Sequence, residues 1–179
     1  MRYVALFRGI NVGKAKRIAM ADLRTLLGKL GYTEVQTLLN SGNAVFTGDP
    51  ESAGNHAERI RQAVLKKTGV DALVIIKSAK DMSAIIADNQ LSEIAHDHSR
   101  LLVALTNDPK ALASVKTLAR AGWGDERIHV GKHAAYLWCA NGILESKAAS
   151  ALLKGLEGTG TTRNWATLNK IHALMGKGA

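Results

Sequence analysis

Arg8-Gly9-Ile10-Asn11-Val12-Gly13-Lys14 is the stretch of this chain best suited to chemistry. It follows an apolar run, Tyr3-Val4-Ala5-Leu6-Phe7, and leads into a basic, then amphipathic, segment. The pattern predicts a strand, a polar glycine loop and a helix. Such a loop offers free backbone N–H groups to an anion, and Arg8 and Lys14 add two cations. A second polar segment, Asn40-Ser41-Gly42-Asn43, has the composition of a hairpin turn. A third, Thr162-Arg163-Asn164-Trp165, reads as the start of a helix, with Thr162 as cap, Trp165 packed inward, and Arg163 and Asn164 exposed. Arginine at the positive end of a helix dipole is unfavourable unless an anion or acidic partner lies near. The residues expected to hold an anion are therefore Arg8, Gly9, Asn11, Gly13, Lys14, Ser41, Asn43, Arg163 and Asn164.

Tests against known chemical motifs are mostly negative. Gly9-x-x-x-Gly13-Lys14 is one residue short of a P-loop, and Ala15 stands where the Mg²⁺-binding hydroxyl belongs. No G-x-G-x-x-G is present, so no cofactor is expected. An RNA recognition motif needs aromatics on its third strand, and Ala44-Val45-Phe46-Thr47 supplies only Phe46. His96-Asp97-His98 lies in a polar stretch with no third ligand at useful spacing, and no metal site is expected. His129 and His133 flank a predicted hairpin. Cys139 alternates with Leu137 and reads as buried, not nucleophilic. No Ser-His-Asp set or carboxylate pair stands out, and the sequence names no reaction.

The chain has 179 residues and a net charge of +9. Its distribution says more than its size. Residues 1–31 carry +6, residues 146–179 carry +4, and the segment between them carries −1. Basic ends of this kind suit phosphates or nucleic acid. Hydrophobic content of 46% and charged content of 22% are ordinary for a globular protein. A lone cysteine, the lack of a membrane-length apolar run and the lack of a signal peptide pattern lead us to expect a cytoplasmic protein with no membrane partner.

Those charges and loops must be positioned by regular elements. Tyr3–Arg8 reads as a continuous apolar strand. Met20, Leu23, Leu26, Leu27 and Leu30 fall at helical spacing before Gly31. Val35–Leu39 and Ala44–Thr47 form a hairpin, Asp49-Pro50 opens a second helix, and Val70–Lys77 is a fourth strand. The order βαββαβ is ferredoxin-like and spans residues 1–77. In that arrangement the first two strands end at one edge of the sheet, so the glycine loop and the hairpin turn share it. Residues 78–100 read as a short helix with a capping box and a linker. Residues 101–179 then give βαββα, with Asp108-Pro109 and Ser146 as helix caps. Gly158-Thr159-Gly160 reads as a flexible break before a C-terminal helix beginning at Thr162. The fold class is α+β throughout.

Leu6-Phe7-Arg8-Gly9-Ile10-Asn11-Val12-Gly13, Met20-Ala21-Asp22-Leu23, Asn40-Ser41-Gly42-Asn43 and Thr162-Arg163-Asn164-Trp165 together resemble a bacterial family known as domain of unknown function family 1697. The resemblance implies a two-part α+β protein with a ferredoxin-like N-terminal half. It implies no activity. The chain departs from the family pattern at Lys14, where a second glycine commonly follows Gly13, and at Ala19, where proline commonly precedes the methionine.

Two uses of the shared edge follow. The first is a binding module for a phosphate-bearing partner, nucleic acid or nucleotide. The second is an enzyme acting on a small phosphorylated or carboxylated metabolite, with Arg8, Lys14 and Arg163 holding the anion. A deep pocket containing a carboxylate or histidine would favour the enzyme, and a shallow groove would favour the module.

Overall fold

The computed structural model describes residues 1–11, 17–50, 55–156 and 158–176. The chain divides into two units. One comprises Met1–Lys80 with Ile171–Ala179, and the other comprises Asp81–Lys170.

In the first unit, β1 (Arg2–Arg8) leads to α1 (Met20–Lys29), and β2 (Thr33–Leu38) and β3 (Asn43–Thr47) form the hairpin. Next come α2 (His56–Thr68) and β4 (Leu73–Ser78). The sheet order is β2-β3-β1-β4 with every pairing antiparallel, the ferredoxin-like order that the sequence predicts. Period-two alternation on β1 sends Tyr3, Ala5 and Phe7 to one face, where they pack with Leu23 and Leu27 of α1 and Ile60 and Val64 of α2. Leu26 is only partly buried. Glycine stops α2, with Gly69 left-handed at φ +70°. The helix itself begins at His56, and Asn55 rather than Asp49 precedes its first turn.

One feature of this core has no signal in the sequence pattern. His56 is fully buried among Tyr3, Tyr32 and Phe46. Its Nδ1 lies 2.9 Å from the Tyr32 hydroxyl, and its Nε2 lies 3.1 Å from the Asp49 carbonyl oxygen. Burial pulls its pKa below the ordinary histidine value. Arg2 is also inside, with Nη1 on Glu34 and Nη2 donating to the Leu174 carbonyl. One of the seven basic residues in 1–31 thus serves the fold.

From Asp81, in the first turn of α3 (Ala79–Ala87), the second unit continues through β5 (Leu101–Thr106) and α4 (Pro109–Ser114), and then makes a 3₁₀ segment (Val115–Arg120). The hairpin β6 (Arg127–Val130) and β7 (Ala135–Trp138) follows, then α5 (Lys147–Gly155), β8 (Gly160–Asn164) and the start of α6 (Trp165–Gly176), whose residues from Ile171 on belong to the first unit. Its sheet order is β6-β7-β5-β8, again fully antiparallel. Asp108 and Ser146 cap α4 and α5 by accepting from the N–H groups of Lys110 and Ala149.

The expected βαββα unit is thus completed by a fourth strand. Gly160–Asn164 does not break the chain or open a helix. It pairs with β5, Thr162 opposite Ala104 and Arg163 opposite Val103. The reason is tertiary. With β7 on one side only, β5 would leave a row of backbone groups unpaired, and the β-branched Thr161 and Thr162 suit the strand that fills it. The cap shifts to Asn164, whose Oδ1 accepts from the Thr167 N–H. The helix α3 is tied to the hairpin of this unit. The Tyr136 hydroxyl donates to the Ile85 carbonyl, and the Lys132 N–H donates to the Asp88 carboxylate.

Candidate anion site

Gly9 has φ +75° and Asn11 has φ +57°, so the chain leaves β1 through two left-handed residues. Glycine adopts this region without cost, and asparagine tolerates it better than most residues. Asn11 then acts as a clasp. Its Oδ1 accepts from the Ile18 N–H at 2.9 Å, and its Nδ2 donates to the Ile18 carbonyl at 3.0 Å. Nδ2 also donates to the Asn40 carbonyl at 2.8 Å. The loop is closed on itself and tied to the hairpin turn by one side chain.

The turn is seated from its own side. Gly42 has φ +87°, and its carbonyl accepts from the Phe7 N–H at 2.9 Å. A Cβ at Gly42 would run into the Ile10 side chain and lie 2.9 Å from the Phe7 Cβ. Asn43 is buried opposite Leu6, and its Nδ2 donates to the Leu38 carbonyl at 2.7 Å and to Ser41 Oγ at 3.2 Å. The glycine loop and the turn do meet, through the Asn11 amide on the Asn40 carbonyl, while the Asn43 amide is spent within the hairpin.

Beside this junction lies a cleft of about 380 Å³ lined by Asn11, Arg17, Ile18, Ala19 and Asn40. Arg17 and Asn40 are exposed residues of its lining. The cleft adjoins the start of α1. The residue in the cap position is Ala19, which makes no side-chain hydrogen bond to the helix. The first amides of α1 therefore lack the acceptor that serine or aspartate would supply there.

The other expected site residues fall as follows. Arg8 is half-buried at the end of β1, opposite Leu73. Gly9 and Ser41 are exposed. Gly13 and Lys14 lie outside the described residues. Asn164 caps α6 in the second unit. Arg163 is not exposed at a helix start. It is buried on β8, with Nη1 donating to Thr161 Oγ1 at 3.0 Å and to the Thr162 carbonyl at 2.7 Å. Burial lowers its pKa to about 10, which still leaves it charged at neutral pH. The sequence reading does not single out Arg17, Ile18 or Ala19, and it names Asn40 only as part of the turn. The available signals were the charge of Arg17 and the place of Asn40 in the turn.

Among the described residues, no group of three histidines, cysteines or acids could hold a metal ion, and no helix is long and apolar enough to cross a membrane. Cys139 is buried, which raises its thiol pKa to about 11. Such a thiol stays protonated at neutral pH and is a poor nucleophile.

The profile of the family described as "Protein of unknown function (DUF1697)" matches residues 1–136. The chain belongs to this family. No curated protein matches the chain. Among solved structures, this DUF1697 member is similar to the conserved bacterial protein SP0830 from Streptococcus pneumoniae. The identity is 26% and the TM-score 0.79, over 97% of this chain and 98% of that one.

Proposed function

We propose that this DUF1697 protein binds a phosphate-bearing partner, nucleotide or nucleic acid, at the cleft of its N-terminal unit. The observation that carries this reading is the lining of the cleft, where an exposed arginine, two asparagines and a helix start without a side-chain cap come together. Arg17 supplies charge and directional donors, Asn40 supplies an amide, and the first N–H groups of α1 supply the positive end of the helix dipole. Asn11 holds the loop in place and does not face the anion as a free donor.

Binding is favoured over catalysis by what the two segments lack. Residues 9–19 and 39–42 contain no aspartate, glutamate, histidine or cysteine. Proton transfer in an enzyme of phosphorylated metabolites needs such a group within hydrogen-bond reach of the reacting atoms. A reducing, cytoplasmic setting goes with the reading, since the single cysteine is buried and protonated.

Thermal denaturation with pyrophosphate at low salt tests the proposal. Pyrophosphate is expected to raise the melting temperature of the wild type, by about 2.7 kcal/mol of stability at a hundredfold excess over Kd. Arg17→Gln, with the shift measured from its own ligand-free melting temperature, should lose most of the shift. An equal shift in wild type and Arg17→Gln, or no shift in either, overturns the reading.

A further inference from the structure

We infer that α2 carries a docking surface for a partner protein, and that the segment docked there is an acidic amphipathic helix. Ile60 and Val64 commit one stripe of α2 to the core, where both are fully buried. A second stripe borders an open groove of about 590 Å³, which shares no lining residue with the anion cleft.

The spacing along this stripe suits a helix. Arg59, Gln62, Ala63 and Lys66 all line the groove. They stand at i, i+3, i+4 and i+7, the four positions that form a hole for a side chain of a second helix packed against the first. One turn earlier, Asn55, Glu58, Arg59 and Gln62 repeat the set in the same groove. Two successive holes take two apolar knobs one turn apart. Ala63 is half-buried and carries only a methyl group, which leaves room in its hole for a leucine. Leu30, half-buried at the end of α1, adds an apolar contact to the lining. From Asn55 to Lys66 the stripe is about 17 Å long at 1.5 Å per residue, enough for three turns of a partner helix.

The charges select an acidic partner. Arg59 is fixed across the groove before any partner arrives. Its Nη2 donates to the Leu30 carbonyl at 3.0 Å, and its guanidinium carbon lies 5.5 Å from the centre of the Tyr32 ring. A side chain already ordered costs less entropy when it binds, and this contact spends one of the five guanidinium N–H donors. Glu58, the one acid in the lining, is satisfied within α2. Its Oε1 accepts from Gln62 Nε2 at 2.6 Å, and its Oε2 lies 3.7 Å from Arg61 Nη1. Lys66 is exposed, and among the described residues no acid pairs with it. Carboxylates flanking the apolar knobs of a partner would meet Lys66 and Arg59, whereas lysines there would meet like charge.

The test is fluorescence anisotropy of the full chain with three labelled synthetic peptides of about 14 residues, long enough to span the groove. The first carries leucines at helical spacing flanked by glutamates. The second has lysine in place of each glutamate. The third scrambles the first so that its leucines ring the helix. Only the first is expected to bind. Lys66→Glu should weaken it about tenfold by setting like charges together. Ala63→Gln fills the hole with another good helix former and should weaken it to a similar degree. Circular dichroism melts verify that both variants are folded. No binding of the first peptide overturns the inference, as do equal binding of the scrambled peptide and full affinity in both variants. Displacement of the first peptide by pyrophosphate would place it in the anion cleft and also overturns the inference. Binding to vesicles of anionic phospholipid that is lost in both variants, with no peptide binding, would make the stripe a lipid surface instead.

Discussion

In the first unit the chain spends residues 9–19 passing from β1 to α1, whereas in the second it passes from β5 to α4 through Asn107 and Asp108 alone. The strand orders are the same, so both connections occupy one topological position. The short one is a finished turn. Asp108 caps its helix, Pro109 starts it, and Thr106 Oγ1 accepts from the Asp108 N–H and donates to the Thr159 carbonyl. The long one contains left-handed residues, needs Asn11 to close it, and delivers its helix without a side-chain cap. The fold therefore does not require the long basic loop. The second unit shows the same position reduced to a two-residue connection.

The two hairpin turns repeat the lesson in a milder form. The β6–β7 turn is clasped by an acid, with Asp88 accepting from the Lys132 N–H and filling the space where a Cβ on Gly131 would sit. The β2–β3 turn rests on Ile10 and Phe7 and leaves Asn40 and Ser41 exposed beside the cleft.

The largest effect that separates the units is expected at the clasp. Asn11→Ala removes the side-chain partners of the Ile18 N–H and C=O and of the Asn40 carbonyl, and it places alanine at a positive φ. A loss of about 1–3 kcal/mol is expected in chemical denaturation, together with loss of the pyrophosphate shift. Retention of full stability would mean that the loop is held by something other than Asn11.

The next test exchanges the caps. Ala19 already has extended backbone angles, φ −66° and ψ 140°, that suit a capping residue. Ala19→Ser should gain about 1 kcal/mol, and Asp108→Ala in the second unit should lose a similar amount. Ala19→Ser should also weaken pyrophosphate binding, because the new hydroxyl takes an amide that the anion would use. A stabilised variant with undiminished binding would remove the helix start from the site.

The smallest effect is the response to acid. His56 is neutral in its buried position, between the Tyr32 hydroxyl and the Asp49 carbonyl and near Arg59. The unfolded chain takes up a proton at histidine near pH 6.5, while burial holds the folded value lower. Stability from this group is therefore complete above the unfolded value and is lost as pH falls toward the folded one. All three tryptophans lie in the second unit, so their fluorescence follows that unit while circular dichroism follows both. Below pH 6.5 the urea midpoint seen by circular dichroism should fall further than the midpoint seen by fluorescence. Equal falls would show that acid sensitivity is not confined to the first unit.

By itself the sequence determined the elements and their class. Continuous apolar runs at residues 3–7 and 101–105, leucines at helical spacing, caps at Asp108 and Ser146 and a stop at Gly69 are local signals, and local backbone preferences decide them. The meeting of the glycine loop with the hairpin turn was also legible, because antiparallel pairing of β1 with β3 follows from the order of elements. Only the tertiary structure decided how individual polar residues are used. Asn11 and Asn43 have the composition of ligand-binding groups, yet their amides are spent on backbone atoms that the fold brings within reach. Thr162-Arg163-Asn164 has the composition of a helix start, yet the open side of β5 draws it into a strand and buries Arg163. A side chain's type fixes which bonds it can make. Which bonds it does make depends on neighbours distant in sequence, since an unpaired buried donor or acceptor costs more than any local preference gains.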